Sequence, residues 1–114
     1  MIINTTRKKV LAKRVKECKT TLSKAKGLMF TRKRKDLGII LDFHEEKRLT
    51  LHMIFVFYPI DVLFLDSSKK VVEMKKALKP FTFYKNKKKA RYVIELSQGR
   101  LSETQVGDKI KTEN

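Results

Sequence analysis

The stretch LTLHMIFVFYPIDVLFLD, residues 49–66, narrows the fold more than any other part of the chain. Its 18 residues are nearly all apolar, yet Pro59 and Asp61 interrupt them. A membrane-crossing helix needs roughly 20 consecutive apolar residues, and an aspartate at its centre costs about 2.5–3.5 kcal/mol on the insertion scale. β-Branched and aromatic residues favour extended chain instead. Proline donates no ladder hydrogen bond, so Pro59 ends or bends one strand and IDVLFLD begins the next. Apolar side chains fall on both faces of each run, so both faces must be covered. The stretch is expected to form two adjoining core strands.

The rest of the chain reads in the same way. MIIN and KKVLAKRVKEC are strand material; Val10 and Ala12 alternate and Val15 falls out of phase, which places a bulge or turn near Lys13-Arg14. TTLSKAKGLMF, residues 20–30, reads as a short helix, with Thr20 or Thr21 capping its first turn and Gly27 ending it. Gly38 is expected to free a tight turn before the strand IILDF, with Asp42 facing outward. HEEKR and DSSKK read as turns, VVEMKKAL and ARYVIELS as strands, GRLSETQ as one helical turn, and VGDKIKT as a turn and final strand. No repeat and no flexible linker appears. Residues 1–114 are expected to form a single, mainly β domain with one or two short helices.

The net charge of +16 is unevenly placed. Residues 7–35 carry +12 and residues 69–91 carry +9, while residues 36–68 come to −4 and residues 92–114 to −1. Two basic blocks thus flank an apolar, mildly acidic middle. A face with that potential attracts polyanions. Lysine-rich surfaces also mark proteins from hot environments, although glutamate has not risen with lysine here. Cys18 is the single cysteine, so no intramolecular disulfide forms and a reducing compartment is expected. The first residues lack the apolar core of a secretory signal. The expectation is a cytoplasmic protein, a monomer or weak homodimer, from a thermophile.

Three groups of residues could carry function. A carboxylate at Asp61, flanked by Ile60 and Val62, must be paired, hydrogen-bonded or protonated. It either anchors a small ligand together with His52 and Met53, or accepts backbone amides at the bend made by Pro59. KPFTFYKNKKKARY sets Phe81, Phe83 and Tyr84 among Lys79, Lys85, Lys87, Lys88, Lys89 and Arg91. Aromatic rings stack on bases while lysines neutralise phosphate; the same spacing also describes a strand with Phe81 and Phe83 inward and a solvated lysine loop after it. His44, His52 and Cys18 have no metal-ligand spacing, and neither a nucleophile–base set nor a glycine-rich phosphate loop is visible. No enzymatic activity, cofactor or metal is expected.

AKGLMF, GIILDF, HMIFVFYPIDVLFLD with VVEM after it, ARYVIEL and VGDKI follow one another in an order that resembles the family called domain of unknown function 192, found in bacteria and archaea, with this chain an archaeal-type member. The resemblance spans roughly Val15 to Lys111, and Gly27-Leu28-Met29, Pro59-x-Asp61 and Val106-Gly107-Asp108 carry it. It implies a compact, largely antiparallel β domain, barrel- or clam-like, without established activity. It also implies binding of a small ligand such as a carbohydrate, with Met53, Pro59 and Asp61 matching the central motif. Many bacterial members read Trp-Met-Lys-Asn where this chain has His52-Met53-Ile54-Phe55, so two polar groups of that motif are apolar here. The leading expectation is a small-ligand binding module at His52, Met53 and Asp61. The alternative is binding of RNA or another polyanion through residues 7–35 and 79–91.

Overall fold

A computed structural model describes residues 1–18, 36–52, 58–101 and 103–113. Ten strands follow one another: β1 (Ile2–Asn4), β2 (Lys9–Ala12), β3 (Arg14–Cys18), β4 (Leu37–Lys47), β5 (Thr50–His52), β6 (Ile60–Leu65), β7 (Val71–Leu78), β8 (Phe83–Lys85), β9 (Ala90–Ser97) and β10 (Ile110–Thr112). They form a five-stranded sheet in the order β3-β4-β9-β6-β7, a three-stranded sheet β10-β1-β2 and the pair β5-β8. All described pairings between these strands are antiparallel except β3 with β4.

The five-stranded sheet is the centre of the molecule. Every residue of β6 is buried, as a strand apolar on both faces requires. Val62 and Phe64 join Ile39, Leu41 and Val93 in a cluster against which Tyr84 of β8 packs. Leu63 and Leu65 join Ile40, Ile94 and Leu96 on the opposite face, where Ile2, Leu11 and Ile110 of the three-stranded sheet cover them. The second half of the apolar stretch is therefore an interior strand, whereas β5 pairs with β8 rather than adjoining β6, and residues 53–57 lie outside the described residues.

Several expectations change. The sheet has separate edges at β3 and β7, so the domain is clam-like rather than a closed barrel. The described residues contain no helix; around GRLSETQ the chain makes turns, with Thr104 N donating to Leu101 O at 2.9 Å. The helix expected over residues 20–30 lies outside the described residues. Gly38 sits inside β4 rather than in a turn. A Cβ there would collide with Ile2 Cδ1 and lie 3.1 Å from Ala12 Cβ, so the missing side chain lets the three-stranded sheet close down. The break at Lys13 between β2 and β3 falls where Val15 leaves the alternation.

Candidate functional site

β8 positions the first group of side chains. Alternation along Phe83-Tyr84-Lys85 turns Tyr84 toward the five-stranded sheet and leaves Phe83 and Lys85 outside. Phe83 is 71% exposed and Phe81, at φ 60°, is 64% exposed. The inward placement of Phe81 and Phe83 that a core strand would require is therefore reversed. Tyr84 is the aromatic that packs, 5.7 Å from Phe64 between ring centres. Lys79, Lys85, Lys87, Lys88 and Lys89 are all exposed, and among the described residues none of their ammonium groups is paired with a carboxylate.

The lysine-rich segment is held rather than irregular. Glu73 of β7 accepts the Lys87 and Lys88 amides on Oε1, at 2.7 and 2.9 Å, and the Tyr84 hydroxyl on Oε2. The hydrogen bond to Glu73, with burial added, pushes the Tyr84 phenol up to about 12. Asn86 is buried beneath the loop: its Oδ1 accepts the Leu49 amide at 2.6 Å and its Nδ2 donates to the Lys88 carbonyl. Arg91 does not join this surface. Its Nε and Nη2 donate to Asp42 at 3.0 and 3.2 Å, which turns the side chain along the sheet.

Asp42 is correspondingly buried, not outward. Burial works to raise its pKa, but Arg91 and the His44 amide outweigh it and hold the carboxyl below the usual range. Asp42 keeps the regular register of Ile39–Asp42 with β9 and shares the face of Ile40, which is covered rather than open to solvent. Glu17, Ile40, Asp42, Lys69, Arg91 and Tyr92 line a cleft of about 230 Å³ here.

Asp61 is 2% exposed, with Oδ1 accepting the Ala77 amide and Oδ2 the Gly99 amide, both at 2.9 Å. The register shift between Ile60 and Val62 puts a bulge in β7 opposite Asp61, and the carboxylate takes up an amide there. Of the two roles expected for Asp61, the geometry is that of the structural one, at a bulge and a turn rather than at Pro59. His52 belongs to β5, opposite Phe83 in the register, and Met53 lies outside the described residues. The expected grouping of His52 and Met53 with Asp61 thus falls outside the described residues.

Glu95 is the acid that sequence reasoning missed. It lies in β9 between Ile39 of β4 and Val62 of β6, and is 7% exposed. Among the described residues its carboxyl has no side-chain hydrogen bond or ion pair, and burial pushes it up to about 7. Tyr58 is near enough to be affected: burial, and then the Glu95 charge, raise its phenol. The alternation Val93-Glu95-Ser97 against Tyr92-Ile94-Leu96 held the signal, because a central strand has no solvent face for a glutamate. No group of three or more metal-ligating side chains occurs among the described residues, and none of their helices is long and apolar enough to cross a membrane.

The model of the DUF192 family, described as Uncharacterized ACR, COG1430, matches residues 2–112. The chain belongs to this family. A UPF0127 protein of Thermococcus sibiricus is 38% identical over 99% of the chain and 75% of its own length, and one of Pyrococcus horikoshii is 37% identical over 97% of both. Both organisms are thermophilic archaea. Among solved structures, a Sinorhizobium meliloti protein provisionally described as a transcription regulator has a TM-score of 0.79 at 22% identity, covering 85% of this chain and 79% of its own. At that identity the likeness shows the fold.

In this DUF192 chain two motifs of the resemblance have structural parts to play. Asp61 of Pro-x-Asp is the clasp just described. Asp108 of Val-Gly-Asp is buried, and its Oδ2 accepts from Asn4 Nδ2 at 2.9 Å, Gln105 N at 2.9 Å and Arg7 Nε at 3.1 Å. Burial works against its charge, but these donors outweigh it and lower its pKa. Gly107, at φ 100°, makes the turn that brings Asp108 under Asn4.

Proposed function

We propose that this DUF192 protein is a non-enzymatic, cytoplasmic binder of single-stranded nucleic acid, through the surface around β8. One observation carries the reading: Phe81 and Phe83 are turned outward in a segment with five exposed lysines, of which Lys87, Lys88 and Lys89 sit on a clamped loop. Aromatic side chains with this much exposure at a basic surface suit base stacking with phosphate neutralisation. Tyr84 and Arg91, engaged by Glu73 and Asp42, fall outside the contact set, which becomes Lys79, Phe81, Phe83, Lys85, Lys87, Lys88 and Lys89. The transcription-regulator description belongs to the Sinorhizobium protein and lends nothing beyond the fold.

The test is fluorescence anisotropy with a labelled oligouridylate across a salt series. Five engaged lysines give a slope of log K against log salt of about −3.5. F81A and F83A are each expected to weaken binding by about 1–3 kcal/mol with the slope unchanged. Absence of binding at low salt, or equal binding by the double variant F81A/F83A, would defeat the reading. A second reading, a small-ligand module, retains one supporting observation: the cleft of about 230 Å³ between Asp42, Arg91, Lys69 and Tyr92. A thermal-shift screen with sugars and metabolites tests it, with Arg91→Ala abolishing any hit that uses that cleft.

A further inference from the structure

Resting on the nucleic-acid reading, we infer that Glu73 is a positioning residue: an acid that strengthens polyanion binding by fixing the loop that presents the lysines. On charge alone Glu73 is an anomaly. It is the single acid in residues 69–91, against ten basic residues, and a carboxylate beside lysines lowers the potential that draws in phosphate. Its bonds account for its presence. One oxygen gathers the consecutive amides of Lys87 and Lys88, and the other accepts from Tyr84.

Tyr84 in turn lies against Phe64, a fully buried member of the central sheet. Glu73 stands opposite Phe64 in the β6–β7 register. The loop is thus tied to the buried central sheet by a carboxylate, a phenol and a ring contact, with Asn86 holding it from beneath. Two amides donating to one oxygen fix the backbone at Lys87 and Lys88, so their ammonium groups project from a set base. A loop ordered beforehand leaves less conformational freedom to lose when a strand binds.

Charge and positioning predict opposite signs, and that makes the inference testable. Anisotropy with the same oligouridylate is read for the unaltered protein, Glu73→Ala and Glu73→Asp over the salt series. Positioning predicts that Glu73→Ala weakens binding by about three- to tenfold although it removes a negative charge. It also predicts that Glu73→Asp, which keeps the charge and shortens the reach, weakens binding as well, and that neither variant changes the salt slope. Amide hydrogen exchange at Lys87 and Lys88 is expected to speed up in both, which monitors the clamp without reference to RNA. Tyr84→Phe, which removes one hydroxyl, supplies a milder variant should Glu73→Ala unfold.

Tighter binding by Glu73→Ala, or unchanged binding by Glu73→Asp with exchange accelerated, overturns the inference and leaves the nucleic-acid reading standing. If the unaltered protein fails to bind the oligouridylate, both fall together.

Discussion

Asp61 and Glu95 lie on adjacent strands, each between apolar neighbours in sequence, yet their surroundings differ completely. Asp61 pairs with Leu96 in the register and faces the three-stranded sheet; Glu95 pairs with Val62 and faces the other way. Asp61 meets a bulge and a turn that each offer an unpaired amide, and both its oxygens are occupied. Glu95 meets Ile39 and Val62 where the register of β9 with β4 and β6 is regular, and among the described residues it is left with burial alone. Irregular backbone nearby decides whether an acid in the interior is a clasp or a titrating group. A flat ladder has no donors to spare.

The largest effect that would test this contrast belongs to Asp61. Asp61→Ala removes two charge-assisted bonds, to the part-buried Ala77 and Gly99 amides, an expected loss of roughly 3–5 kcal/mol in urea denaturation. A loss below 1 kcal/mol would remove Asp61 as a clasp.

Glu95 comes next, with the opposite sign. Its folded pKa of about 7 stands above the ordinary 4.5. The carboxyl's contribution is therefore intact below about pH 4.5, declines as pH rises, and is lost above about pH 7. The difference amounts to roughly 3 kcal/mol. Glu95→Gln, neutral at every pH, is expected to match the parent at pH 4 and exceed its stability by up to that amount at pH 8. A constant difference across the range would mean that Glu95 does not titrate as its burial dictates.

The smallest expected effect sharpens the comparison from the other side. Gly38→Ala crowds Ile2 and Ala12 beneath the three-stranded sheet and should cost about 1–3 kcal/mol. It should leave the pH profile conferred by Glu95 unmoved, because the two perturbations lie on opposite faces. A joint shift of stability and pH profile would show the faces to be coupled.

Strand positions were readable wherever β-branched residues stood between turn residues. Ala90–Ser97 coincides with ARYVIELS, and Ile60 follows the break at Pro59 as proline's missing donor requires. Burial of Asp61 was equally plain from Ile60 and Val62. What could not be read depended on residues distant in sequence. Asp42 is held by Arg91, 49 positions away, on a face whose cover is set by distant strands. The outward turn of Phe81 and Phe83 follows from a positive φ at Phe81 and from Tyr84 taking the place against Phe64. Glu73, which organises the loop, reads in VVEMKK as an ordinary acid on a strand, and nothing local marks its reach to residues 87 and 88.

The pairing of β1 with β10 brings residues 2–4 beside residues 110–112. During synthesis on the ribosome, Ile2 and Leu11 are made long before Ile110, and the lid they belong to cannot be zipped up until β10 leaves the exit tunnel. The opposite cover has no such wait, since β8 is made some twenty-five residues earlier. Vectorial translation thus finishes the central sheet with β9, at Ser97, before β10 is available, and the nascent chain spends that interval with one side of its central layer bare.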